Sequence, residues 1–412
     1  VDTSVIQTSS RREDFATVID EVRSAVTTDA AAALGDPVIR AWLGRRFRNI
    51  FIDEASVDPD ALKHSQEPLP FRLLDSRSDR ERVAKRMVNG ITDEEIATEM
   101  PPADPATFEN TTLLFAPGLL TGLLPVLAFQ SVWPQLKERF GIRILAADSH
   151  PMRSADANVA DLVAAMEHGI GVDSDEAGTI ITDSDDPTPP GDVLLMGYSK
   201  GMPDILSLLV ARPDLAPRIR GIVGWAGATG GSFIADGIYN KIKGIPAFET
   251  ATTMAGEVGE LLLPLVPVVQ VHKVDRRLDE YDIEGAIESL TTGFRSRFLA
   301  EQSTTLAELG VPMFYCSGST NVFEVPYFQM MGTAELDAHD PDNDMQLTQD
   351  QARVPASSAP HLAMFHANHW DLSYDAFPWY ETLGSHKLTN PFARKPAMAA
   401  MLLFMSEIGI ID

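Results

Sequence analysis

Asp192-Val-Leu-Leu-Met-Gly-Tyr-Ser-Lys-Gly201 is the stretch that decides how this chain is read. Asp192 to Met196 is a short apolar run with the length of a buried strand, and Pro203 to Arg212 carries a helical pattern. Between them Gly197-Tyr198-Ser199-Lys200-Gly201 fits G-x-S-x-G. In a strand–turn–helix the serine of that pattern occupies a sharp, strained bend. Small residues two positions to either side let the helix and the neighbouring strand approach. The hydroxyl is then presented beyond the sheet, with the positive end of the following helix directed at it. Ser199 is therefore expected to be a nucleophile.

The same rhythm continues outward. Short apolar runs occur at Thr112–Ala116, Ile142–Ala147, Ile219–Trp225, Val311–Cys316 and His361–His366, and Ala155–Glu167 is an amphipathic helix. Strands alternating with helices predict an α/β fold with a mostly parallel sheet flanked by helices. About 85 residues separate Trp225 from Val311, too many for a structureless loop. They contain the apolar Phe248–Val271 and the helix-patterned Tyr281–Leu299. Residues 232–308 are read as a helical cap, between core segments 110–231 and 309–412. Residues 1–109 are polar and helix-patterned, at Phe15–Ala32, Val38–Phe47 and Asp79–Met87, and are read as an N-terminal helical extension. The acidic Asp173–Asp186 is read as a solvated loop.

Composition narrows the partners. With 33 basic and 59 acidic residues the formal net charge is −26. Such a field disfavours nucleic acid and anionic membranes, so no nucleic-acid partner is expected. The longest apolar run, Leu261 to Val271, is about half a membrane span and holds two prolines, so it is read as buried or lid-forming rather than as an integral membrane segment. A single cysteine, Cys316, excludes an intramolecular disulfide and sits in an apolar run as a core residue. No signal peptide is visible, which points to the cytoplasm, with secretion compatible with a processed N-terminus. No H-E-x-x-H, paired-cysteine or G-x-G-x-x-G pattern implies a metal or nucleotide cofactor, although His366, His369 and Asp371 have a spacing that could bind zinc. The oligomeric state is left open.

A serine needs a base to take its proton, and the base needs an orienting acid. His369, in Asn368-His-Trp-Asp371, follows the last strand by a few residues and is the best base. His366 is its close rival, and His361 starts that strand and so lies at the wrong edge. For the acid, Asp344, Glu324 and Asp340 all precede the histidine. Negative charge on a carbonyl oxygen needs preorganised N–H donors. Those of Lys200, after the serine, and Leu119, after Pro117-Gly118, are the candidates. Only the backbone of Lys200 is invoked, its side chain being expected in solvent.

Four segments now resemble those of bacterial lipases and related α/β-hydrolases: Phe115-Ala-Pro-Gly118, Gly197–Gly201, Ala226–Asp236, and Asn343-Asp344 followed by His369. Gly231-Ser-Phe-Ile-Ala-Asp236 is similar to that group's Gly-Ser-x-x-Ala-Asp pattern. The group's acid precedes its histidine in an Asn-Asp-Gly or Asp-Gly context, which favours Asp344, although Met345 stands where glycine is usual. Pro117-Gly118 likewise stands where His-Gly is usual. The resemblance covers roughly residues 110–240 and 310–375. It implies an α/β-hydrolase fold and a Ser199–His369–Asp344 triad that cleaves carboxylic esters, with a small-molecule or lipid-like ester as substrate and no cofactor. An amidase or peptidase, a polyester depolymerase and a non-catalytic binding protein on the same fold are the alternatives.

Overall fold

Leu113 and Phe115 pack into one apolar core while Leu114 and Ala116, their chain neighbours, pack into another. Leu194 and Met196 against Val193 and Leu195 repeat the pattern. Successive side chains of a strand point to opposite faces, so a run apolar at every position requires cover on both sides. The computed structural model describes residues 3–67, 69–104, 107–108, 110–174, 181–243, 276–355, 359–378 and 391–412. The apolar run Leu261–Val271 lies outside the described residues.

Eight strands form one sheet: β1 Thr111–Ala116, β2 Arg143–Ala146, β3 Val172–Ser174, β4 Ile181–Asp183, β5 Asp192–Ser199, β6 Ile219–Gly227, β7 Met313–Ser319 and β8 His361–His366. Their order is β4-β3-β2-β1-β5-β6-β7-β8. All pairs from β2 across to β8 are parallel, and β3 and β4 add an antiparallel hairpin at one edge. The solvated loop expected at Asp173–Asp186 is corrected where β3 and β4 run through it, and its residues 175–180 lie outside the described residues. Strands of three residues with charged side chains are a common way to blunt a sheet edge, and they are too short to show alternation in sequence.

From β1 the chain turns to β2 on one side, whereas β5, on the other side of β1, leads on to β6. The crevice beyond the carboxyl ends of β1 and β5 is thus a topological switch point, where ligands bind in open α/β sheets. One face of the sheet is covered by the helices Ala155–His168, Gly201–Ala211 and Thr292–Glu308. The other carries Pro37–Ala55, Val132–Phe140 and Arg394–Glu407.

The N-terminal helices bury their apolar stripes in that second core. Pro37–Ala55 starts with Asp36, whose carboxylate accepts from the N–H groups of Val38 and Ile39, and with a proline in its first turn. It lies against β8 closely enough that a Cβ on Gly44 would stand 2.9 Å from the carbonyl oxygen of His361. Phe47 and Phe51 meet Phe365 at centroid distances of 6.3 and 5.1 Å. Arg46, fully buried, grips Glu407 with two hydrogen bonds of 2.7 and 2.5 Å. Among the described residues no helix is long and apolar enough to cross a membrane. Cys316 is free and buried in β7, where burial pushes its thiol pKa well up.

Candidate active site

Ser199 ends β5 with φ +52°, a left-handed conformation that an L-residue other than glycine adopts at a cost of about 1–3 kcal/mol. The surroundings force the bend. A Cβ on Gly201 would collide with the carbonyl of Ala116 in β1, and one on Gly197 would stand 2.8 Å from the Cα of Met202. The helix Gly201–Ala211 is therefore pressed onto the sheet directly after the serine, as the sequence pattern requires. Gly118 completes the approach from β1, since a Cβ there would lie 2.9 Å from the Cβ of Ser199.

Asn368-His369-Trp370-Asp371 follows β8 as a turn. The Asn368 side-chain oxygen accepts from the N–H groups of Trp370 and Asp371 at 3.0 and 2.9 Å, leaving the His369 ring between them as the projecting group. His369 Nδ1 donates to Asp344 Oδ2 at 2.7 Å, and the His369 N–H donates to the Asp344 carbonyl at 2.7 Å. The other carboxylate oxygen of Asp344 accepts from the N–H groups of Gln346 and Leu347, at 3.0 and 2.7 Å. Three hydrogen bonds thus hold the Asp344 carboxylate in a buried turn. In that turn Met345 has φ +84°, so the chain keeps the left-handed bend that glycine would favour even though the residue is methionine.

With Nδ1 donating, Nε2 of His369 is left as an acceptor. It is buried and has no hydrogen-bond partner among the described residues. Ser199 and His369 line one cavity. Leu119, Leu120 and Leu124 enclose it from the loop after β1, and Ile234, Ile238 and Ile287 from the segment 232–308. Gln329, Gln346, Trp370, Tyr198 and Tyr374 complete the wall.

The other sequence candidates separate from this cluster. His366 Nε2 pairs with Glu324 at 2.7 Å, and Glu324 also accepts from Asn321 Nδ2 at 2.7 Å. Asp340 accepts from the N–H groups of Asp342 and Gln349, and so shapes the loop. His361 bonds Ser317 Oγ at 2.8 Å and stacks on Tyr315 at the opposite end of β8. Burial there lowers its pKa to about 4. Among the described residues no three His, Cys, Asp or Glu side chains converge as a metal site.

One expectation is reversed. The Lys200 side chain is not in solvent but fully buried, its Nζ 2.6 Å from Asp204 Oδ1, with each side chain 1% exposed. Lys200 immediately precedes the helix, so its side chain runs along the helix's inner face to the residue four positions on. Burial pulls the lysine pKa down and the aspartate pKa up, each opposed by attraction to its partner.

The contact of Tyr198 with His369 carried no sequence signal, since Tyr198 fills a variable position of G-x-S-x-G. The Tyr198 hydroxyl donates to the His369 carbonyl at 2.9 Å, and its ring stacks on the imidazole with centroids 5.0 Å apart. A residue variable by pattern thus braces the histidine. Ser232 and Asp236 tie the segment after β6 to its surroundings, Ser232 Oγ donating to the Gln346 carbonyl and the Asp236 carboxylate accepting the N–H and Oγ–H of Thr292.

Neither a family model nor a curated protein matches the chain. Solved structures do. The metagenomic carboxyl esterase MGS0156 superposes with a TM-score of 0.59 at 19% identity, covering 88% of this chain and 91% of that one. Bacillus licheniformis lipase BlEst2 in mature form gives 0.44 at 18%, over 65% of this chain and 86% of that one. Lipase 1 from Pelosinus fermentans gives 0.41 at 12%, over 70% and 98%. At 19% identity the likeness to the carboxyl esterase is one of fold. Together with the strand order, it makes this an α/β-hydrolase fold.

Proposed function

We propose that the protein is a serine hydrolase that cleaves carboxylic esters through Ser199, His369 and Asp344. The observation that carries this reading is the buried, unpartnered Nε2 of His369, lining the same cavity as the strained Ser199 while Nδ1 is held by Asp344. No hydrogen bond joins Nε2 to Ser199 here. Catalytic hydrogen bonds are often long before substrate binds and tighten in the reacting complex.

In the proposed sequence His369 Nε2 takes the Ser199 proton as Oγ attacks the ester carbonyl. The charge that develops on the carbonyl oxygen is met by the N–H groups of Leu119 and Lys200. Among the described residues the Leu119 N–H has no protein acceptor, and Lys200 stands at a helix start, where N–H groups lack intrahelical partners. The imidazolium, stabilised by Asp344, gives its proton to the leaving alcohol. Water then repeats the steps on the acyl-enzyme and restores Ser199. The leucine and isoleucine walls suit an apolar acyl or aryl group.

A fluorophosphonate probe is expected to label Ser199, and Ser199→Ala is expected to abolish p-nitrophenyl ester hydrolysis while leaving the fold intact. An unlabelled serine would point to the non-catalytic binding protein. Undiminished turnover by the alanine variant would remove Ser199 from the mechanism.

A further inference from the structure

The peptide unit between Ser199 and Lys200 is clamped from several sides. Its carbonyl accepts from the Ala228 N–H at 2.8 Å. In a trans peptide the N–H points the opposite way from the carbonyl, so this bond aims the Lys200 N–H away from β6. On the far side Lys200 is anchored twice to Asp204: its carbonyl accepts the Asp204 N–H at 3.1 Å, and its Nζ pairs with Oδ1 at 2.6 Å.

Asp204 does not end the chain of contacts. Its second oxygen accepts from Asn158 Nδ2 at 2.9 Å. The same nitrogen donates to the His150 carbonyl at 3.2 Å. One residue further on, the Pro151 carbonyl accepts the N–H of Leu120, at 3.2 Å, in the turn that presents Leu119. Lys200, Asp204 and Asn158 are each at most 1% exposed.

Resting on the esterase reading, we infer that Lys200, Asp204 and Asn158 form a buried spacer that fixes the separation of the two N–H donors, those of Leu119 and Lys200. All three are positioning residues, and only the backbone of Lys200 faces the reacting atoms. A buried ion pair can often be replaced by apolar residues with little loss of stability. Its stability value therefore does not explain it, whereas alignment of two donors from different loops does. Misplacing a catalytic group by about 1 Å costs on the order of 100-fold in rate.

The test is Lys200→Met combined with Asp204→Leu, assayed with a p-nitrophenyl ester and with an alkyl boronic acid that forms a tetrahedral adduct on serine. kcat is expected to fall roughly 30-fold or more with KM within about twofold, and boronate affinity to fall by a similar factor. The melting temperature should stay within a few degrees. A kcat within about threefold of wild type, or a loss of kcat with boronate affinity unmoved, overturns the inference. Should the double variant fail to fold, Asn158→Leu keeps the ion pair and is expected to give the same split at about tenfold. A wild-type enzyme without ester turnover overturns the esterase reading instead, and is measured first.

Discussion

Two histidine–carboxylate pairs lie three residues apart in this chain, with equal bond lengths of 2.7 Å and opposite surroundings. In His369–Asp344 both side chains are 2% exposed, whereas in His366–Glu324 the histidine is 27% and the glutamate 33% exposed. His369 lines the same cavity as Ser199, and His366 does not line it. β8 accounts for the difference. His366 is its last residue, still bound by strand geometry, while His369 lies beyond it on a turn that frees its ring to project. A good hydrogen bond to a carboxylate therefore does not by itself single out a base. The role proposed for His369 rests on where its other nitrogen is placed.

The largest expected effect lies in the histidines themselves. His369→Ala should lower kcat/KM for a p-nitrophenyl ester by about 10⁴-fold or more, while His366→Ala stays within about threefold. Equal losses would erase the distinction. The carboxylates come next. Asp344→Asn keeps the turn's acceptor oxygen but favours the wrong imidazole tautomer, so a loss of about 10³- to 10⁴-fold is expected, against little change for Glu324→Gln.

A third carboxylate, Asp371 in the turn that carries His369, sharpens the contrast through stability rather than rate. Burial raises Asp371 to about 7, and one of its oxygens has no hydrogen-bond partner among the described residues. Its folded pKa lies above the unfolded value, so its stabilising contribution is complete below about pH 4. As pH rises toward 7 the unfolded chain releases this proton while the folded one keeps it, and stability declines until both are ionised. Asp371→Asn should remove on the order of 2–4 kcal/mol of that decline, seen as a flatter urea midpoint between pH 4 and 8. An unchanged pH profile would show that Asp371 ionises freely.

The sequence carried the site's frame because steric need and residue type coincide there. Gly197, Ser199 and Gly201 are readable since a side chain at 197 or 201 would keep the helix from following the strand so abruptly. His369 was separable from His366 by its distance past an apolar run. The fate of Lys200 was not legible, because its partner Asp204 is bound in turn by Asn158 from a different helix, a contact that spacing along the chain does not show. Tyr198 occupies a variable motif position, and its hold on His369 spans 171 residues. The edge hairpin of β3 and β4 was too short and too charged to alternate.

The clasp between Arg46 and Glu407 joins residues 361 positions apart. A ribosome working at about 5–20 residues per second takes roughly 20–70 s to make the stretch between them. For that interval the apolar stripe of the helix Pro37–Ala55 has been synthesised without β8 or the helix Arg394–Glu407 to cover it. The burial of that stripe therefore waits until both β8 and the helix Arg394–Glu407 have been made.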